Sequence, residues 1–116
     1  MAWPQASDYP LIADIRRRIA AFIGLLETHQ EPMQILHYFP GGECKPYFDS
    51  FVAGSRHLDF GGNRMLTLIL YLNDVPLGGW TEFARLETSV VPYHGTGVMF
   101  KNLNDQRLQL ETSLHG

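Results

Sequence analysis

From Pro32 onward the sequence is a run of short apolar stretches separated by Gly, Pro and Asn, and this pattern constrains the fold more than any other feature. Such punctuation indicates strands joined by turns rather than further helices. The predicted strands lie near residues 33–39, 45–51, 64–72, 80–84, 88–91, 96–101 and 109–115. The 64–72 stretch is apolar at almost every position, which is typical of a strand covered on both sides. Many short strands in succession favour a jelly-roll or barrel.

The residues before Pro32 have a helical period instead of a strand period. Apolar side chains recur at the spacing of one helix face: Ile12, Ile15, Ile19, Phe22, Ile23 and Leu26. Ser7 or Asp8 can cap this helix, and Pro10 suits its first turn. The prediction is a helix over about 8–23 followed by a β core over about 33–116, so that the chain is mostly β with one N-terminal helix.

Length and composition exclude several classes of function. With 116 residues and 45% hydrophobic content, the chain suits a single domain, 1–116. A net charge of −3 and no basic block beyond the arginines at 16–18 predict no nucleic-acid ligand. The longest run without Asp, Glu, Lys, Arg or His, 65–73, is far below the roughly 20 residues that cross a bilayer, so no membrane span is expected. A lone cysteine and a start without signal-peptide character favour an intracellular setting.

The segment Lys45-Pro46-Tyr47-Phe48-Asp49 and the distant His115 suggest a metal site. A strand sends alternate side chains to one face, so positions 47 and 49 can both point at one ion. A strand His-x-Asp with a distant His forms the 2-His-1-carboxylate triad, which leaves coordination positions of Fe(II) open. Here a tyrosine stands at the first position. Asp49 and His115 are therefore predicted metal ligands, with Tyr47 in the third place.

Further motifs occur in a fixed order along the chain. They are Gln-Ile-Leu-His-Tyr-Phe-Pro-Gly-Gly at 34–42, Lys-Pro-Tyr-Phe-Asp at 45–49, the long apolar strand at 63–75, Gly-Gly-Trp-Thr-Glu-Phe at 78–83, Pro-Tyr-His-Gly at 92–95 and Ser-Leu-His-Gly at 113–116. Together they resemble the core of the prolyl 4-hydroxylase-like 2-oxoglutarate- and Fe(II)-dependent dioxygenases. The resemblance extends from the helix to the last residue.

This resemblance implies a double-stranded β-helix, or jelly-roll, in which two sheets enclose iron and 2-oxoglutarate. The family usually continues past its distal histidine into a strand with a Lys or Arg that pairs with the 2-oxoglutarate carboxylate, whereas this sequence stops at Gly116. We therefore expect the fold to be incomplete at its C-terminal strand. An open sheet edge favours association, so a homodimer that covers this edge is also predicted.

The resemblance also implies an activity and a set of site residues. The expected reaction is hydroxylation of a prolyl residue in a peptide or protein, with Fe(II) and 2-oxoglutarate as cofactors and ascorbate as a reductant. Tyr38 and Tyr71 match family tyrosines that face the pocket, and we predict that they bind the cofactor. Trp80 and Thr81 lie beside the Gly-Gly-x-Thr hairpin and are weaker candidates for the substrate opening.

Several alternatives remain open from the sequence. Tyr47 can be an aromatic that fills a former metal pocket. A phenol has an ordinary pKa of about 10 and is a poorer Fe(II) ligand than neutral imidazole. A literal His-x-Asp occurs at 57–59, so that His57 and Asp59 are rival ligands. The candidates for pairing with the cosubstrate carboxylate are Arg64, Lys101 and Arg107. The alternative function is an inactive jelly-roll binding module or a fragment of such an enzyme.

Overall fold

The computed structural model describes residues 2–5, 7–51 and 62–116. The chain forms two compact units, Met1–Gly42 and Glu43–Gly116. The first contains the α-helix and the second contains the strands. The architecture is therefore one helix followed by short strands, as the sequence predicts at this coarse level, and the single-domain assignment stays a prediction.

In the first unit, helix α1 spans Pro10–Ile23. Its N-cap residue is Tyr9, which makes no side-chain capping bond, so the predicted caps Ser7 and Asp8 are wrong. Pro10 at the first helical positions explains why a cap is less needed, since its ring fixes φ and removes one unpaired N–H. The helix ends at Ile23, and the C-cap residue Gly24 adopts a left-handed conformation with φ 82° and donates its N–H to the Ala20 carbonyl.

Arg16 connects helix α1 to the segment that follows it in this unit. Its guanidinium donates to the carbonyls of Glu31 at 2.8 Å and Gln30 at 3.1 Å, while the Gln30 side chain donates back to the Arg16 carbonyl at 2.9 Å. A 3₁₀ helix, Glu27–His29, lies within this connection. None of the helices in the described residues has the length and apolar character that crossing a bilayer requires.

The second unit contains two antiparallel strand pairs. Strand β1, Leu66–Leu70, pairs with β4, Gly97–Lys101, in a register that sets Thr67 opposite Phe100. Strand β2, Thr81–Phe83, pairs with β3, Thr88–Val90. A 3₁₀ helix, Ala84–Leu86, connects β2 to β3. Four of the predicted strands are thus confirmed, with bounds shorter by at most two residues at an end.

The C-terminal residues lie between two other segments of this unit. His115 and Tyr47 form an antiparallel bridge in which each N–H donates to the other's carbonyl, at 3.1 and 2.7 Å. The next residue, Gly116, exchanges the same pair of bonds with Glu82 of β2, at 2.9 and 3.1 Å. A Cβ atom on Gly116 would lie 2.8 Å from the Cys44 carbonyl oxygen, which is closer than side chains approach backbone. This position therefore requires glycine.

The buried centre of the second unit is partly aromatic and partly polar. Phe83 of β2 and Phe100 of β4 meet edge to face at 5.0 Å between ring centroids, so the two strand pairs share one contact. The His115 ring lies 4.7 Å from Phe100 and 5.9 Å from Phe83. Leu103 and Phe83 are the buried apolar residues of the described chain, and Asn102 is fully buried. An imidazole thus occupies a place in the core.

Three predicted strands are not regular strands. Residues 33–39 and 45–51 contribute one isolated bridge residue each, Ile35 and Tyr47. The 109–115 segment has bridges at its two ends and a 3₁₀ helix, Glu111–Ser113, between them. The Ser113 hydroxyl donates to the Leu110 carbonyl at 2.6 Å, and such local side-chain bonds compete with a strand ladder. The apolar pattern predicted which segments are extended. It did not predict whether a partner strand lies beside each of them.

Replacing Gly24 by alanine should destabilise the chain by about 1 kcal/mol, because an L side chain in the left-handed region is strained. Apart from its chain neighbours, no atom of the described residues lies within 4 Å of a Cβ built there, so the cost is conformational and not steric. Urea unfolding of Gly24→Ala checks it. Gly24→Asn is the matched control and should lose less, since asparagine tolerates this conformation. An alanine variant as stable as the parent would contradict this account.

Candidate metal centre

Asp49 is a nearly buried carboxylate in the second unit, with its side chain 11% exposed. It follows the Tyr47 bridge by two residues, so it lies where an extended chain would place a side chain on the same face as Tyr47. The Thr67 hydroxyl, from β1, donates to Asp49 Oδ2 at 2.7 Å. This bond fixes the orientation of the carboxylate.

The second ligand candidate is His115, whose side chain is buried and 3% exposed. Its Nδ1 lies 2.7 Å from the Ser113 carbonyl oxygen. A carbonyl can only accept, so Nδ1 carries the proton in this bond and Nε2 of the neutral ring carries a lone pair. The Phe83 and Phe100 rings pack around the imidazole and limit its contact with water.

The two groups face each other across a short gap. His115 Nε2 lies 3.6 Å from Asp49 Oδ2 and has no hydrogen-bond partner among the described residues. Two electron-rich atoms at this distance and nearly out of water need a shared cation, either a proton or a metal ion. Histidine ligands commonly hold their other ring nitrogen in a bond to a backbone carbonyl, as Nδ1 does here. Asp49 and His115 therefore fit as two ligands of one metal ion.

Tyr47 contacts His115 through both its backbone and its ring. Its backbone is paired with that of His115, and its ring centroid lies 4.7 Å from the imidazole at an interplanar angle of 49°. Tyr47 is 43% exposed, whereas His115 is buried. The structure thus places Tyr47 in contact with His115. Within the described ranges, no group of three or more His, Cys, Asp and Glu side chains is arranged to hold a metal.

The other predicted site residues lie in different surroundings. Tyr71 directly follows β1, and its phenol oxygen is 2.7 Å from the Thr81 hydroxyl. Thr81 is buried, whereas its neighbour Trp80 is exposed. Tyr38 belongs to the first unit and is exposed there. The structure joins Tyr71 with Thr81, and the roles of all four residues stay predictions.

Of the basic candidates, Arg64 contacts the segment that carries Asp49. Its Nη1 lies 3.5 Å from the Asp49 carbonyl oxygen and its guanidinium lies 4.6 Å from the centroid of the Phe51 ring. Lys101 and Arg107 are exposed. The rival pair, His57 and Asp59, lies outside the described residues.

Sequence reasoning missed Thr67 and Asn102 as parts of this site. Thr67 donates to Asp49, and the Asn102 amide donates to the Thr67 hydroxyl at 2.7 Å. Strand alternation could have identified Thr67, because it shares a face with Tyr71. No sequence signal identifies Asn102, which follows β4 and reaches Thr67 only because β1 and β4 pair.

The metal-free protein should hold the neutral His115 ring as the tautomer with its proton on Nδ1. The bond to the Ser113 carbonyl requires this proton, and in the neutral ring the atom that faces Asp49 then carries the lone pair. Long-range ¹H–¹⁵N correlation spectra of the imidazoles distinguish the two tautomers. Exposed His94 provides an internal reference in the same sample. A neutral ring with its proton on Nε2 would show instead a direct hydrogen bond to Asp49 and contradict the assignment.

Comparison with known proteins gives a consistent set of relatives, although no protein-family profile matches this chain. The chain is 32% identical over 124 residues to probable prolyl 4-hydroxylase 7 of Arabidopsis thaliana, an alignment that covers 91% of this chain and 39% of that protein. It is 35% identical over 106 residues to prolyl 4-hydroxylase subunit alpha-1 of Homo sapiens, covering 88% of this chain and 20% of the human protein. The chain thus spans less than half the length of these relatives.

A solved structure gives the same relationship at the level of fold. The viral collagen prolyl hydroxylase of Paramecium bursaria Chlorella virus-1, solved as a 2OG complex, superposes with a TM-score of 0.73 and 22% sequence identity. The match covers 98% of this chain and 66% of the viral chain. The two proteins therefore share a fold. Taken with the sequence relationships, this makes the chain similar to prolyl 4-hydroxylases over 88–91% of its own length.

Proposed function

We propose that this chain carries the metal-binding core of a 2-oxoglutarate- and Fe(II)-dependent prolyl hydroxylase. One observation carries the proposal: a buried imidazole nitrogen without a hydrogen-bond partner among the described residues lies 3.6 Å from a nearly buried carboxylate oxygen. A structural histidine in a core normally has both ring nitrogens bonded, because an unpaired buried polar atom is costly. A metal ion held by Asp49 and His115 removes this cost.

The proposed fold is a double-stranded β-helix, as in the family. Its support is the antiparallel pairing of β1 with β4 and of β2 with β3, with a shared aromatic contact between Phe83 and Phe100. The backbone bridges from His115 to Tyr47 and from Gly116 to Glu82 add a further connection between these elements. The names of the relatives support prolyl hydroxylation as the activity, and the 2OG complex of the viral protein supports 2-oxoglutarate as the cosubstrate.

In this proposal Asp49 and His115 hold Fe(II), and Tyr47 occupies the position of the family's first histidine. When bound, iron and 2-oxoglutarate supply the oxidation of an unactivated carbon by molecular oxygen. The chain's own residues orient and shield the centre. Thr67 orients the carboxylate, the Ser113 carbonyl orients the imidazole, and the aromatic rings beside His115 exclude water.

Tyr71 is the proposed donor to the cosubstrate carboxylate. Its phenol already makes a hydrogen bond with buried Thr81, so the ring is held in one orientation before a ligand binds. Either oxygen of this pair can be the donor. A carboxylate that accepts from the phenol would then leave Thr81 as the donor to Tyr71, and both hydroxyl groups would keep a partner.

The substrate class proposed here is a prolyl residue of a peptide or protein. The names of the relatives support it, as does the exposed position of Trp80 beside buried Thr81, where an extended chain could bind. Ascorbate as a reductant, a homodimer through a sheet edge and an intracellular setting all stay predictions.

Tyr47→His should tighten anaerobic Fe(II) binding by at least about tenfold, or about 1.4 kcal/mol, because imidazole binds Fe(II) without losing a proton. Calorimetry measures the affinity, with and without 2-oxoglutarate. The parent chain should bind Fe(II) more weakly, and 2-oxoglutarate should strengthen the binding, since it supplies further ligands to the same ion. His115→Ala should abolish binding in either background.

The control for this substitution is Tyr93→His, which changes an exposed tyrosine outside the candidate site. It should leave the Fe(II) affinity of the parent unchanged. Equal affinities of the parent and Tyr47→His would show that residue 47 is not a ligand position. Tight binding that survives His115→Ala would place the metal elsewhere and reject the proposed centre.

Turnover should depend on the same carboxylate. With Fe(II), 2-oxoglutarate and a proline-rich peptide, Tyr47→His should form succinate and add one oxygen atom to the peptide, detected by mass spectrometry. Adding Asp49→Asn should abolish both products because it removes the anionic ligand. Thr112→Ser, an exposed conservative change, is the control. If adding Asp49→Asn left the yields of succinate and hydroxylated peptide equal to those of Tyr47→His alone, the proposal would be rejected. Binding of Fe(II) and 2-oxoglutarate without either product would favour a binding module.

A further inference from the structure

Asp49 is connected to a second buried polar residue through one hydroxyl group. The Asn102 amide nitrogen donates to Thr67 Oγ1 at 2.7 Å, and Thr67 Oγ1 donates to Asp49 Oδ2 at 2.7 Å. Oδ2 is also the carboxylate oxygen that lies 3.6 Å from His115 Nε2. A continuous chain of polar contacts therefore runs from Asn102 to the candidate metal centre.

The direction of these bonds is fixed by chemistry. The amide nitrogen of Asn102 can only donate, so it occupies a lone pair of the Thr67 hydroxyl and leaves the hydroxyl proton for another acceptor. That acceptor is Asp49 Oδ2. Donation into the hydroxyl oxygen also polarises the O–H bond, which strengthens the next bond in the chain. Asn102 thus controls where the Thr67 proton points.

The scaffold holds both residues of this relay in place. Thr67 lies within β1 and its β-branched side chain has few rotamers in a strand. Asn102 is 0% exposed, its N–H donates to the Met65 carbonyl at 2.7 Å, and its own carbonyl accepts from the Leu110 N–H at 2.9 Å. Its side-chain oxygen has no hydrogen-bond partner in the described part of the chain. The buried oxygen without a partner is costly, and the amide nitrogen makes its side-chain bond to Thr67.

We infer that Thr67 and Asn102 are positioning residues that orient the Asp49 carboxylate for metal binding. The inference rests on the proposed function, because it assigns a role at the same metal centre. Neither residue would be a ligand of the ion. Thr67 holds Oδ2 in place, and Asn102 acts through Thr67. Partners of this kind, bonded to a metal ligand, typically change metal affinity by 10–100-fold when they are replaced.

The test is titration with Co(II), whose d–d absorption reports the ligand geometry around the ion. Thr67→Val should raise the Kd for Co(II) by about tenfold and shift the absorption bands, because the shape is kept and the hydroxyl is lost. Thr67→Ser should restore both the affinity and the spectrum. Asn102→Leu, of similar volume, should raise the Kd by a smaller factor, since the Thr67 hydroxyl remains but is free to turn.

The control is Thr88→Val, which makes the same change at an exposed threonine of β3. It should leave Kd and spectrum unchanged. Urea unfolding of each metal-free variant separates a loss of stability from a loss of metal affinity. A Thr67→Val chain that binds Co(II) with the parent's affinity and spectrum would overturn the inference while leaving the metal site intact.

A second measurement needs no metal. In the metal-free protein the Thr67 hydroxyl proton should exchange slowly with water and appear in NMR spectra, and Asp49→Ala should remove this protection. A Thr67 proton that exchanges freely in the parent chain overturns the relay itself. Failure of the parent chain to bind Co(II) at all, with a protected Thr67 proton, overturns the proposed function and the metal role of the relay together.

Discussion

The second unit depends on the pairing of its C-terminal residues with two other segments. His115 bonds to the backbone of Tyr47, and Gly116 bonds to the backbone of Glu82. These four hydrogen bonds connect the segment that carries Asp49 to strand β2. The His115 ring packs against the contacting pair Phe83 and Phe100. Because the imidazole is positioned by backbone bonds on one side and ring packing on the other, it has little freedom to find another partner for Nε2.

A buried carboxylate and a buried imidazole at 3.6 Å make this centre chemically distinct from the rest of the unit. Most buried groups of the described chain are bonded, and the two unbonded side-chain atoms are His115 Nε2 and Asn102 Oδ1. One faces the candidate metal position and the other lies at the far end of the chain of bonds to Asp49. The exceptions to hydrogen-bond satisfaction therefore both belong to one polar network.

Sequence reasoning succeeded where local chemistry determines structure. The period of apolar residues predicted helix α1, and the short apolar runs between turns predicted all four regular strands. The metal-triad pattern singled out Asp49 and His115, which lie 3.6 Å apart in the structure, and their role as metal ligands stays a prediction. Sequence reasoning failed at the 109–115 segment, where the Ser113 hydroxyl bonds to a nearby carbonyl. It also did not identify Asn102, because the contact of Asn102 with Thr67 depends on strand register. The register between two strands is set by tertiary structure. The sequence around a polar residue that follows a strand does not show which residue of the partner strand it will contact.

The bridge at residue 47 uses only the N–H and C=O groups that every residue except proline shares. The backbone pairing therefore accepts any residue except proline at this position, and the tyrosine that occupies it packs its ring against His115. Tyrosine and histidine codons differ by a single base. A lineage with this architecture could thus lose or regain an imidazole at position 47 by one point mutation, without rebuilding the scaffold around it.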